Sequence, residues 1–283
     1  YAINNAGTVV GEAVKRIDGV SMGRFAVRWD VSGTDAVELS GIGPDNAGRS
    51  YASAVAVNDL GTAVGSAEKY SDGAFLGWRA VRWDASGTTA TELEPLATDD
   101  NGFAAAWAVA VNAAGTAVGT SGILNPAHVS HTDHRAVRWD ASSTVATALD
   151  SLGTDSDGHA HCEALAINDA GTAVGWAIKV DGAPLGRYAV RWDASGTAVT
   201  ELESLGVNAS GVVIARAVAI NSSGTTVGCA EKYVNGRSEE RAVLWLPDGS
   251  VVDLNDLGLT SVSDAGTWVL GAALTISDDG WVA

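Results

Sequence analysis

Hydrophobic and polar positions alternate in short bursts along this chain, and turn residues break the bursts at regular intervals. In the stretch from Ala54 to Leu96, Ala54-Val55-Ala56-Val57-Asn58 reads as one strand and Thr62-Ala63-Val64-Gly65-Ser66 as a second. Arg79-Ala80-Val81-Arg82-Trp83-Asp84 reads as a third and Ala90-Thr91-Glu92-Leu93 as a fourth. Asp59-Leu60-Gly61 and Ala85-Ser86-Gly87-Thr88 supply turn chemistry between them. No segment shows the 3.6-residue period of a helix. Apolar groups lie on both faces of the third strand, Val81 and Trp83 on one and Ala80 on the other, as a sheet packed between two neighbours requires.

The same pattern returns through the chain. One phrase occupies Ala2 to Gly11, Ala56 to Gly65, Ala110 to Gly119, Ala166 to Gly175 and Ala219 to Gly228, with a degraded copy at Leu274 to Ala283. A second, Ala-Val-Arg-Trp-Asp, degrading to Ala-Val-Leu-Trp-Leu at 242–246, places Trp29, Trp83, Trp139, Trp192 and Trp245 at spacings of 54, 56, 53 and 53 residues. A fixed period of this size marks a repeat architecture whose units bury their faces only by stacking. Four strands per unit predict an all-β fold, a β-propeller of four-stranded antiparallel blades. Residues 1–283 are expected to form a single repeat domain, with units starting near 2, 56, 110, 166 and 219 and a partial unit at 274. Six blades, the sixth built from both termini, are expected in preference to five.

Within a unit, the up-and-down order puts the short turns on one rim. The stretches Ala67 to Trp78 and Glu94 to Ala106 read as long variable loops on the other, where function is expected. The residues of the repeat itself have structural readings. Arg28, Arg82 and Arg191 are expected to pair with Glu38, Glu92 and Glu201, ten residues on, with Arg138 and Ala148 as the exception. Asn4, Asn58, Asn112, Asn168 and Asn221 are expected to hydrogen-bond their own backbone two residues on.

A formal net charge of −17 argues against nucleic acid and disfavours anionic membrane surfaces as partners. No apolar run reaches the roughly 20 residues of a membrane helix, so membrane insertion is not expected. The chain begins at Tyr1 and its only methionine is Met22. Residue 1 is expected to be either a processing product or a cut within a longer chain, with any signal peptide already gone. Cys162 and Cys229 sit at different places in the repeat and are not expected to form a disulfide.

The alternation of Ala-Ile-Asn-x-x-Gly-x-x-Val-Gly with an Arg-Ala-Val-x-Trp strand resembles the HAF-repeat family of bacterial extracellular proteins. The name-giving His-Ala-Phe triplet is replaced here by Arg79-Ala80-Val81, Arg135-Ala136-Val137 and Arg241-Ala242-Val243, and by Phe25-Ala26-Val27 and Tyr188-Ala189-Val190. The closing stretch, Val252 to Leu257, Gly266-Thr267-Trp268 and Thr275 to Gly280, is similar to the way such proteins end. The resemblance implies export and a propeller-like fold, and no assigned reaction.

All five histidines fall in the long stretches: His128, His131 and His134 before one third strand, His159 and His161 after the fourth strand that follows it. With Asp133, Asp155 and Asp157 nearby they have the ligand types for zinc, copper or nickel. Ordinary exposed histidines are the competing reading. Asp99-Asp100-Asn101-Gly102 and Asp155-Ser156-Asp157-Gly158 hold part of a calcium-loop series, and read equally as plain turns. Gly19-Val20-Ser21-Met22-Gly23 matches a nucleophile elbow by letter, without its strand-to-helix setting. Trp78, Trp107 and Trp176 are candidates either for stacking on sugar rings or for the blade edge. The functional expectation is a non-catalytic extracellular scaffold that presents its long-loop rim to a ligand, a glycan or a protein. The alternatives are a polysaccharide lyase or hydrolase using the same rim, and a structural surface or matrix protein.

Overall fold

The computed structural model describes residues 1–31, 33, 35–123, 133–181, 183–258 and 269–283. These divide into two compact units, Tyr1–Ala148 and Leu149–Ala283. The first holds three repeats: β1 (Ala2–Ile3), β2 (Val9–Ile17), β3 (Val20–Trp29) and β4 (Val37–Leu39); β5 (Ser50–Val57), β6 (Ala63–Ser71), β7 (Ala74–Trp83) and β8 (Ala90–Leu93); and β9 (Ala104–Val111), β10 (Ala117–Ile123), β11 (Asp133–Trp139) and β12 (Ala146–Ala148). The second holds two: β13 (Cys162–Ile167), β14 (Ala173–Asp181), β15 (Ala183–Trp192) and β16 (Val199–Glu201), then β17 (Val213–Ile220), β18 (Thr226–Val234), β19 (Arg237–Trp245) and β20 (Val251–Asp253). Every repeat is an antiparallel meander of four strands. The fold is all-β, of the β-propeller class. A single 3-10 turn at Leu254–Leu257 is the exception among the described residues.

One blade packs on the next through the tryptophan strand. Trp83 and Val81 of the second repeat lie against Val10, Ala26 and Leu39 of the first. Trp139 and Val137 of the third lie against Val64, Ala80 and Leu93 of the second. In the second unit, Trp245 and Val243 meet Val174, Ala189 and Leu202. Each buried indole N–H is then satisfied by a carbonyl of the preceding repeat: Trp83 donates to Ser40 (2.9 Å), Trp139 to Glu94 (2.9 Å) and Trp245 to Glu203 (2.7 Å). Trp192 donates in the same way to Asp150 (2.8 Å). Trp29 is only half-buried, unlike its four counterparts.

The recurring asparagines lace the repeats together at the edge of the tight turns. Asn58 Oδ1 accepts the N–H of Thr62, four residues on and not two, at 2.9 Å. Its Nδ2 donates to the carbonyl of Asn112 in the next repeat at 2.8 Å. Asn4 reaches Asn58 in the same way, and Asn168 reaches Asn221. Asn221 in turn donates to Ser277 (3.2 Å), and Ser222 N–H to Asp278 (2.8 Å). The 274–283 segment, which carries the Ile276–Val282 bridge, therefore continues the asparagine ladder.

The expected Arg–Glu pairs do not form. Register explains why: Arg82 lies opposite Thr91, whereas Glu92 lies opposite Val81 and so faces the other side of the blade. Arg28, Arg82 and Arg191 instead donate to the carbonyls of Asp84, Asp140 and Pro247, each in the next repeat. The acids take lysines of the second strand, as Lys15–Glu38, Lys69–Glu92, Lys179–Glu201 and Lys232–Asp253. The third repeat has Ile123 and Ala148 at these two places, so both members of the pair are replaced together.

Candidate functional site

The edge of each blade away from the asparagine ladder carries the variation, and much of it is more ordered than long loops would be. The second and third strands run on as a ribbon to two-residue turns at Asp18-Gly19, Asp72-Gly73 and Asn235-Gly236. Both residues of each turn have positive φ, between 49° and 83°, the geometry whose twist matches paired antiparallel strands. Ala67 to Trp78 is thus mostly hairpin. The Gly19-Val20-Ser21-Met22-Gly23 string lies in this ribbon and has no elbow geometry.

The other connection, from fourth strand to next first strand, also contains a repeated device. Asp45 Oδ1 accepts the N–H groups of Ala47 and Arg49, both at 2.8 Å. Asp99, Asp155 and Asn208 do the same for residues two and four further on. The strings that resembled calcium loops are therefore two members of a fourfold turn, one of which uses Asn in place of Asp. Hydrogen bonds from the backbone of Arg49 hold the Asp45 carboxyl below the usual range, and those from His159 do so for Asp155.

His128 and His131 lie outside the described residues. His134 lies in β11 of the first unit, and His159 and His161 belong to the second. Around His159, one ligand atom each from Asp155, Asp157 and His159 lies within 4.8 Å of the others. His159 Nδ1 stands 3.4 Å from Asp155 Oδ2. Trp78, Trp107 and Trp176 are in strands and half-buried: Trp78 meets Tyr51 edge-on at 5.1 Å, and Arg187 lies 4.8 Å from the Trp176 ring. No disulfide joins Cys162 and Cys229, and burial, with Glu240 alongside, pushes the Cys229 thiol up to about 11.

In the first unit this edge also contains a groove of about 310 Å³ between the β2–β3 ribbon and the 40–50 connection. Lys15, Phe25, Glu38, Pro44 and Ser50 are among its walls. Lys15 Nζ sits 5.0 Å from the centre of the Phe25 ring and 2.8 Å from Glu38 Oε2. Sequence reading missed the groove because none of its residues forms a motif.

No family model matches the chain, and no curated protein sequence matches it. Among solved structures, TolB from Acinetobacter baumannii aligns with 93% of this chain at 13% identity and a TM-score of 0.46, and the chain spans 57% of its length. A putative TolB from Agrobacterium tumefaciens aligns with 81% of the chain at 12% identity and 0.44, over 73% of its own length. The β-propeller domain of the Trilobed protease from Pyrococcus furiosus aligns with 84% at 12% identity and 0.45, over 61% of its own length. Among the described residues, no helix is long and apolar enough to cross a membrane.

Proposed function

We propose that this chain is a non-catalytic binding scaffold of the propeller class, which presents the edge formed by its hairpin tips and 40–50-type connections to an extracellular ligand. One observation carries the reading. The asparagine edge is nearly identical from repeat to repeat, while substitutions that alter surface chemistry gather at the opposite edge. Rigid strands with variable connections are the usual way a repeat protein displays a binding surface. The titrating groups support it as well. On that edge Asp45 and Asp155 are lowered, chiefly by hydrogen bonds that close the turn, which deepens their ordinary charged state. A general acid or base needs the opposite, a group drawn toward neutral pH. HAF-repeat membership, an extracellular location and a count of six blades belong to the same proposal, supported by the recurring phrases and by the 274–283 segment.

Native-gel retardation by soluble polysaccharides, run beside an assay for newly released reducing or unsaturated ends, tests it. Retardation without release is expected. Release of either kind of end by the pure protein would overturn the non-catalytic reading.

The ligand-atom cluster at Asp155, Asp157 and His159 favours one addition, a divalent transition cation held at that turn. Calorimetric titration with zinc should then show a site that His159→Ala removes. Absence of a site, or one that survives the substitution, would leave these residues as an ordinary turn.

A further inference from the structure

The geometry points to a neutral sugar ring as the occupant of the first-repeat groove, with the Ser50 hydroxyl as its buried polar anchor. This rests on the scaffold reading and names its ligand class and location. Ser50 begins β5, and its hydroxyl oxygen is buried with no hydrogen-bond partner among the described residues. The residue is only 8% exposed and lines the groove. A buried hydroxyl left unmatched is costly, and a native structure retains one where something else supplies the partner. The other repeats avoid that cost. The equivalent places, five residues after the Asp or Asn of the turn, hold Ala104, Ala160 and Val213, all buried.

Two neighbours of Ser50 shape the groove. In the second repeat, Arg79 fills the equivalent space, donating to the carbonyls of Gly102 and Ala104, both at 2.7 Å. The first repeat has Phe25 there, which leaves the groove open and lines it with an aromatic ring. Gly41 stands where the second repeat has Pro95. A β-carbon on Gly41 would lie 2.6 Å from the Ser50 hydroxyl, so glycine makes room for it. The fourth repeat also has an aromatic residue at the Phe25 place, Tyr188, but Val213 where the first has Ser50, so the serine is what sets this groove apart.

The chemistry of the walls selects the ligand. Lys15 and Glu38 are the only charged residues among the groove's walls and pair with each other, so the walls carry no net charge and suit a neutral molecule. Ile17, Met22, Phe25 and Pro44 present apolar surface. Ser50 and the half-exposed Lys15–Glu38 pair present hydrogen-bonding groups. A pyranose has the matching halves, an apolar C–H face and a girdle of hydroxyls. The groove's volume lies at the lower end of the range of roughly 300–1,000 Å³ for small-molecule sites.

The test uses the full chain and a panel of neutral hexasaccharides (cello-, laminari-, malto-, xylo- and chitohexaose), with affinity measured by calorimetry for wild type, Ser50→Ala and Phe25→Arg. At least one hexasaccharide should bind the wild type, and both substitutions should weaken it tenfold or more. Ser50→Ala should melt no lower than wild type, since it installs the residue of the second and third connections, so its loss of binding is not a loss of folding. Binding unchanged in Ser50→Ala would place the sugar elsewhere and overturn the groove assignment while leaving the scaffold reading intact. No binding by any hexasaccharide would overturn the neutral-sugar assignment. Cleavage of a bound hexasaccharide would overturn the non-catalytic reading instead, and the Ser50→Ala affinity would still decide the groove.

Discussion

Gly65 faces the carbonyl of Ser53 so closely that a β-carbon on Gly65 would lie 1.9 Å from its oxygen. The cause is a β-bulge in the first strand of the blade, where the register slips between Ala54 and Ala56. The same relationship holds for Gly119 with Trp107, Gly175 with Glu163 and Gly228 with Arg216. In these four copies the last glycine of the repeated phrase is thus a packing requirement, whereas a β-carbon on Gly11 would meet nothing closer than 3.4 Å. Gly65→Ala should cost at least about 2–3 kcal/mol, because backbone and not a rotatable side chain must yield. Gly102→Ala, with positive φ but open space around it, should cost only about 1–2 kcal/mol. Denaturant unfolding of the two variants checks the order, and equal losses would contradict it.

Burial separates the repeated tryptophans. Trp83 is fully buried and donates its indole N–H to Ser40, so Trp83→Ala should destabilise by roughly 3–5 kcal/mol. Trp29 occupies the same place in its repeat but is half-buried, and Trp29→Ala should cost less than half as much. Thermal or urea unfolding decides, and similar losses would show that Trp29 is as well covered as the others.

Acid sensitivity should arise in part at the fourfold turn. Asp45 is held below its unfolded value of about 3.9 by hydrogen bonds from the backbone of Arg49 and Ala47. A lowered folded pKa contributes stability that is present above the unfolded value and lost as pH falls through the folded one. Asp45→Asn should keep the turn, since Asn208 makes the same one. It should also shrink the difference between urea midpoints at pH 7 and pH 3. An unchanged difference would remove Asp45 from the acid response.

The fold was legible in the sequence because the residues that specify it recur: the buried tryptophans, the asparagines and the bulge-facing glycines stand out by period alone. Even so, the local chemistry was only partly visible. Asp18-Gly19, Asp72-Gly73 and Asn235-Gly236 are strong hairpin signals, but they sit in segments whose sequence otherwise varies, and these read as loops. The Arg–Glu reading counted residues along the chain, whereas strand register put the two side chains on opposite faces. Asp155-Ser156-Asp157-Gly158 read as part of a calcium series, but Asp45 and Asn208 close the same turn, so that string by itself says nothing about calcium. The groove lay beyond reach for a different reason. Ser50 is an unremarkable serine in sequence, and only burial and the alanines at equivalent places make it a departure.

The central claim, that the edge opposite the asparagine ladder is the binding surface, is tested most directly by amide hydrogen exchange with and without whichever neutral hexasaccharide binds the protein. Protection should appear in the 40–50 connection and at the β2–β3 turn around Asp18-Gly19, with the Asn58–Gly61 and Asp84–Gly87 turns unchanged. Protection confined to those two turns would put the ligand on the wrong edge and contradict the account.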